Sequence, residues 1–165
     1  MLILSLIIYV ALALIVHELG HLIAARKCDV HASEISLGLG PLVGSFGLGS
    51  VRFSLRALPL GSFVRLDGTA LKQRPIQQQL FVHLGGIILN IVAGVIFLGT
   101  TFSWINFLIA AGNLLPLYQH DGWKCGVVLM RLLLQRKSQP VEWAFTFSGG
   151  FVSLIALWAV IRLFI

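Results

Sequence analysis

The residues His17-Glu18-Leu19-Gly20-His21 set two imidazoles four positions apart, with a carboxylate beside the first. On a helix this spacing puts both rings on one face, one turn apart, close enough to share a metal ion. The carboxylate is then placed to take a proton from a water that the metal activates, the chemistry of a zinc hydrolase. The plainer alternative is a histidine pair that hydrogen-bonds between helices. The setting argues against it: residues 2–25 are otherwise almost wholly apolar. A carboxylate at membrane depth is costly unless a function or a partner holds it there.

Two histidines leave zinc one protein ligand short of the three found in hydrolytic sites, where the fourth position stays open. Asp121 is the candidate third ligand. It follows Pro116, which interrupts an apolar run and frees backbone groups that are tolerated at membrane depth only inside protein or along a wet cavity. Asp121 also reads as the N-cap of a helix beginning at Gly122, and the two roles are compatible. Its neighbour His120 is a candidate supporting residue for the metal. Asn90 carries an amide suited to holding an extended peptide or an oxyanion. His83 shares an i, i+3, i+7 face with Gly86 and Asn90, and an interhelical hydrogen bond is its ordinary reading. Cys28 and Cys125 form no metal-binding spacing and no disulfide framework.

The elements that must position these residues follow from composition and patterning. Of 165 residues, 58% are hydrophobic and 11% charged, which excludes an ordinary soluble domain and a disordered chain. The pattern predicts an all-α polytopic membrane protein, a single domain over 1–165. Four transmembrane helices are expected at about 2–25, 76–101, 102–135 (broken at 113–121) and 141–165. The first has no basic leader segment and reads as a retained span rather than a signal peptide. Between the first two spans, residues 30–70 hold seven glycines and two prolines, and the β region falls at about 33–67. Its stretch Val51–Arg56 alternates apolar and polar residues, as a strand with one apolar face does, with partner strands at 34–39 and 62–66. The expectation is a small membrane-associated β-sheet.

The formal charge of +6 arises from 12 basic and 6 acidic residues. Seven of the basic residues fall in 26–75, four in 124–137 and one at Arg162. Read by the positive-inside rule, this records topology rather than a nucleic-acid partner: both termini outside, and the site toward the cytoplasmic side. A divalent-metal transporter is the main competing class, but its polar residues would line a full pathway, whereas these gather at one depth. A non-catalytic membrane scaffold is the other, and it leaves the HExxH pattern without a purpose.

Taken together, the motifs resemble the site-2 protease family of intramembrane zinc metalloproteases. His17–His21 followed by Ala24-Ala25-Arg26 is similar to the family's opening motif, and Leu55–Gly68 to its membrane-associated β-hairpin region. Leu84–Asn90 resembles its Gly-Pro-x-x-Asn segment, and Asn113–Pro116 with His120-Asp121-Gly122 its Asn-x-x-Pro…Asp-Gly motif. Ile87 departs from the family's proline, His120 from an apolar residue and Trp123 from glycine. The resemblance implies one zinc ion held by His17, His21 and Asp121, with Glu18 as general base. It also implies a substrate-binding role for Asn90 and Asn113, and a cut in or near the transmembrane segment of a single-pass membrane protein or peptide. The expected setting is a prokaryotic cytoplasmic membrane. The chain reads as a minimal form without a PDZ or other sensor domain, so a regulatory partner protein is a further expectation.

Overall fold

Arg26 and Lys27 close a 26-residue first helix, α1 (Leu2–Lys27), where basic side chains suit the negative end of the helix dipole. Asp29, at φ 51°, then turns the chain into a sheet. The computed structural model describes residues 2–133 and 139–164. After α1 come β1 (Ala32–Leu48), β2 (Val51–Leu66), α2 (Gly68–Gln73), α3 (Ile76–Ile96), α4 (Thr101–Leu114), α5 (Asp121–Leu133) and α6 (Gln139–Phe164). Two compact units divide after Ala111.

The fold is mostly helical, with the sheet where the patterning places it. Two of the described helices are long and apolar enough to cross a membrane, Ile3–Lys27 and Ile76–Ile96. The predicted second span runs five residues too far: Gly99, at φ +84°, turns the chain, and the Thr100 hydroxyl accepts the Ser103 N–H to start α4. Where a broken third span is expected, the chain forms two helices, α4 of 14 residues and α5 of 13. Each is shorter than the roughly 20 residues that a crossing needs. In the fourth, the described apolar stretch is Trp143–Ile155. The ends placed at 135 and 165 lie outside the described residues.

The three predicted strands are present, as parts of the two longer strands β1 and β2. Residues 40–48, read as turn, extend β1, and 44–48 pair back onto 51–55. Residues 32–37 are flanked on both sides, so that Ile35 faces Val64 across one ladder and Phe53 across the other. Gly38 permits the bend: its φ is +88°, and a Cβ there would meet the Leu58 carbonyl oxygen at 2.6 Å. The apolar side of Val51–Arg56 is not uniformly covered, since Val51 is 2% exposed but Leu55 51%. On the polar side Ser54 is buried and Arg56 half-buried, while Arg52 is exposed. The Arg56 guanidinium donates to Ser36 Oγ at 3.0 Å and to Glu34 Oε1 at 3.1 Å, while Arg65 lies 3.4 Å from Glu34 Oε2.

The Ser54 hydroxyl and then the Arg56 and Arg65 guanidinium groups hold the Glu34 carboxyl below the usual carboxylate range. A depressed folded value means stabilisation that is complete above the ordinary range, near pH 4.3, and is lost as pH falls through the folded value. Thermal melts between pH 6 and 3 are therefore expected to converge for wild type and Glu34→Gln. At pH 6 wild type should melt higher; parallel curves at a constant offset would refute the assignment.

Helices α1 and α3 cross through small residues. A Cβ at Gly20 would strike the Gly85 carbonyl oxygen, and one at Gly85 would sit 2.9 Å from Ala24 Cβ. Beyond the crossing, Ala24, Ala25, Cys28, Val30, Leu71 and Val82 form one apolar cluster. Leu22, Ala32, Ile35 and Val51 form a second, which seats the sheet on α1. The close approach is what brings α3 side chains and carbonyls within reach of the α1 histidines.

Candidate metal centre

His17, Glu18 and His21 are each 4–5% exposed on α1. The rings of His17 and His21 meet edge to face, with centroids 4.8 Å apart and Nε2 atoms 3.2 Å apart. Each ring's other nitrogen is engaged. His21 Nδ1 lies 2.8 Å from the Val82 carbonyl oxygen, and His17 Nδ1 lies 3.1 Å from Asn90 Oδ1. A carbonyl can only accept, so His21 donates from Nδ1. The orientation of the Asn90 amide assigns the same tautomer to His17.

With both rings neutral, their Nε2 lone pairs converge at 3.2 Å, an arrangement suited to a shared cation. Two imidazole nitrogens about 2.05 Å from one tetrahedral zinc ion stand about 3.3 Å apart, close to the observed 3.2 Å. Gly86 keeps the space open, since a Cβ there would lie 2.6 Å from both His17 Cε1 and His21 Nε2. The residues present fit a divalent ion of the zinc type.

Glu18 turns toward the sheet, where Ser62 Oγ donates to its Oε1 at 2.6 Å. Asn90 is fully buried, and its amide is engaged by His17, the Ala13 carbonyl at 3.2 Å and Asn106 Oδ1 at 3.0 Å. The inward side of α3 runs through Gln79, Val82, Gly86, Asn90 and Ala93. His83 falls one residue off it and is half-buried. α3 passes unbroken through Ile87, the position of the missing proline.

In the second unit Asp121 opens α5, is 2% exposed, and receives Lys124 Nζ at 2.9 Å. Gly122 is required there, because a Cβ would strike the Leu114 carbonyl oxygen and stand 2.8 Å from that of Leu115. His120 is half-buried, with Nδ1 3.3 Å from the Tyr118 carbonyl oxygen. Asn113 is half-buried near the end of α4. Trp123 packs against Tyr118 and Phe145, with ring centroids at 5.2 and 6.4 Å.

Sequence reasoning missed four contributors: the Val82 carbonyl, Gly86 as the space beside the rings, Ser62, and Asn106. Asn106 carried a usable signal, a polar amide within an apolar helix. The other three depend on which elements pack against α1.

A helix-borne histidine pair with preset tautomers and an adjacent carboxylate, on an apolar helix, defines a candidate metallohydrolase centre of a membrane protein. The chain belongs to peptidase family M50, whose sequence pattern matches residues 5–103. It is 33% identical over 102 residues to a Nostoc sp. protein named "Putative zinc metalloprotease", covering 54% of this chain and 28% of that one. Against "Membrane metalloprotease ARASP, chloroplastic" of Arabidopsis thaliana the identity is 36% over 91 residues, 48% of this chain and 20% of the relative. A Synechocystis sp. protein, also named "Putative zinc metalloprotease", is 34% identical over 119 residues, 64% of this chain and 32% of the relative. The chain thus spans under a third of the length of each of these relatives.

Proposed function

We propose that this chain is a zinc-dependent intramembrane endopeptidase that cuts a peptide bond in or near the transmembrane segment of a single-pass membrane protein or peptide. The observation that carries this reading is the pair of opposed Nε2 atoms 3.2 Å apart beside Glu18. His17 and His21 supply two ligands. Asp121 supplies the third, supported by its burial and its carboxylate chemistry at the Pro116 break. When bound, zinc polarises the scissile carbonyl and lowers the pKa of a water molecule. Glu18 takes the proton from that water and delivers it to the leaving amine.

Substrate must reach the site as extended chain, because a helix keeps its carbonyls in i→i−4 bonds. Residues 52–55 are paired on both sides, whereas 62–66 pair only with 32–37 among the described residues. The free edge of 62–66, joined to Glu18 through Ser62, therefore takes the substrate by strand addition. Asn113 helps to hold it, and His120 supports Asp121. The chain crosses the membrane four times with both termini outside, α4 and α5 forming one broken span, and the site lies toward the cytoplasmic face. A regulatory partner protein controls access.

The test is mass spectrometry of products after the detergent-purified protein meets a panel of single-pass membrane peptides. Cuts within the hydrophobic segment are expected, stopped by a chelator and restored by zinc. Intact peptides together with no bound zinc would overturn the reading.

A further inference from the structure

Three buried groups on three helices, His17 on α1, Asn90 on α3 and Asn106 on α4, form one hydrogen-bonded chain. Asn90 and Asn106 are both 0% exposed. Buried amides are expensive unless satisfied, more so among membrane-spanning helices. Here the direction of every bond is fixed from the ends. Asn106 Nδ2 lies 2.9 Å from the Phe102 carbonyl oxygen, which can only accept, so the Asn106 amine points there and Oδ1 points to Asn90. Asn90 Nδ2 then donates both to Asn106 Oδ1 at 3.0 Å and to the Ala13 carbonyl oxygen at 3.2 Å. Only Asn90 Oδ1 is left for His17, 3.1 Å away, which must donate from Nδ1. Two backbone carbonyls, acting through two amides, thereby dictate which His17 nitrogen is offered to a metal.

We propose that Asn90 and Asn106 are positioning residues for the metal ligand His17: together they fix its tautomer and ring orientation, and so set the affinity of the site for zinc. This rests on the zinc reading of the histidine pair. The plainer role is interhelical glue, with no effect on the metal beyond stability. The two roles separate at Asn90→Asp, whose carboxylate still accepts from His17 Nδ1 but cannot donate to Ala13 or Asn106.

The experiment measures zinc affinity of the purified full chain by competition with a chromophoric chelator, alongside thermal melts of the metal-free protein. Asn90→Leu is expected to weaken zinc about 10- to 100-fold, the usual range for loss of a ligand's supporting partner. Asn106→Leu is expected to weaken it less, and Asn90→Asp to recover most of the affinity while melting as low as Asn90→Leu. Unchanged affinity in Asn90→Leu, or Asn90→Asp binding no better than Asn90→Leu, would overturn the proposal. If the leucine variants do not fold, nitrogen NMR of histidine-labelled, metal-free wild type decides. A His17 protonated at Nδ1 supports the assignment, and one protonated at Nε2 refutes it. A wild type that binds no zinc would instead fail the function proposed above, a distinguishable result.

Discussion

Glu18→Gln is expected to keep its zinc and lose its hydrolysis. Glutamine matches the shape of Glu18 and can still accept from Ser62, which in wild type donates to Oε1 at 2.6 Å, so the surroundings of the base are preserved. What disappears is the ability to take a proton and return it. General-base catalysis is worth about 10²- to 10⁴-fold, and turnover should fall by that amount in an assay that quantifies peptide fragments by mass. Zinc content, measured by elemental analysis of the same preparation, should remain at one per chain, because both histidine nitrogens are untouched. Loss of zinc in this variant would make Glu18 a ligand rather than the base. Full activity with zinc bound would move the base elsewhere.

Gly86→Ala is expected to act through the metal rather than the base. The added carbon would lie 2.6 Å from His21 Nε2 and from His17 Cε1, and 2.8 Å from His17 Nδ1. A retreat of α3 would give up its close packing of Gly85 against Gly20. The rings are expected to move instead, and the lone pairs no longer converge. Overpacking of this kind costs about 1–3 kcal/mol, and displaced ligands should lower zinc affinity by at least the roughly 10- to 100-fold seen when ligand support is lost. Gly44→Ala is the control, because nothing lies within 4 Å of the carbon it would add. Chelator competition on both variants checks the expectation. Equal affinities would mean that the rings tolerate the methyl group and that Gly86 is not what keeps the space open.

The local part of this site was legible in the sequence, and the long-range part was not. HExxH announces itself because its geometry is intrahelical, set by the 3.6-residue turn alone. The break before Asp121 was likewise readable from Pro116, and both ends of β2 from the glycine-rich turns around it. The Val82 carbonyl has no side-chain signature at all. Ser62 is an ordinary strand residue until the sheet's seat on α1 is known. The alternation of Val51–Arg56 misled, because a period-2 rule assumes one dry face. In this sheet Ser54 on the polar face is buried, and Leu55 and Phe46 look outward at 51% and 66% exposure.

The two histidines differ in how their supports can be lost. His21 leans on the main-chain oxygen of Val82, an atom that every amino acid supplies, so no substitution at that position deletes it. His17 leans on a side chain, Asn90, itself steadied by Asn106. One ligand is thus shielded from the genetic code and the other is exposed to it. Random mutagenesis that selects for weakened metal retention should therefore return changes at 90 and 106, together with bulky replacements at 86, and few at 82. Evolution could tune the strength of this centre through the first histidine alone, while the second stays locked to the polypeptide itself.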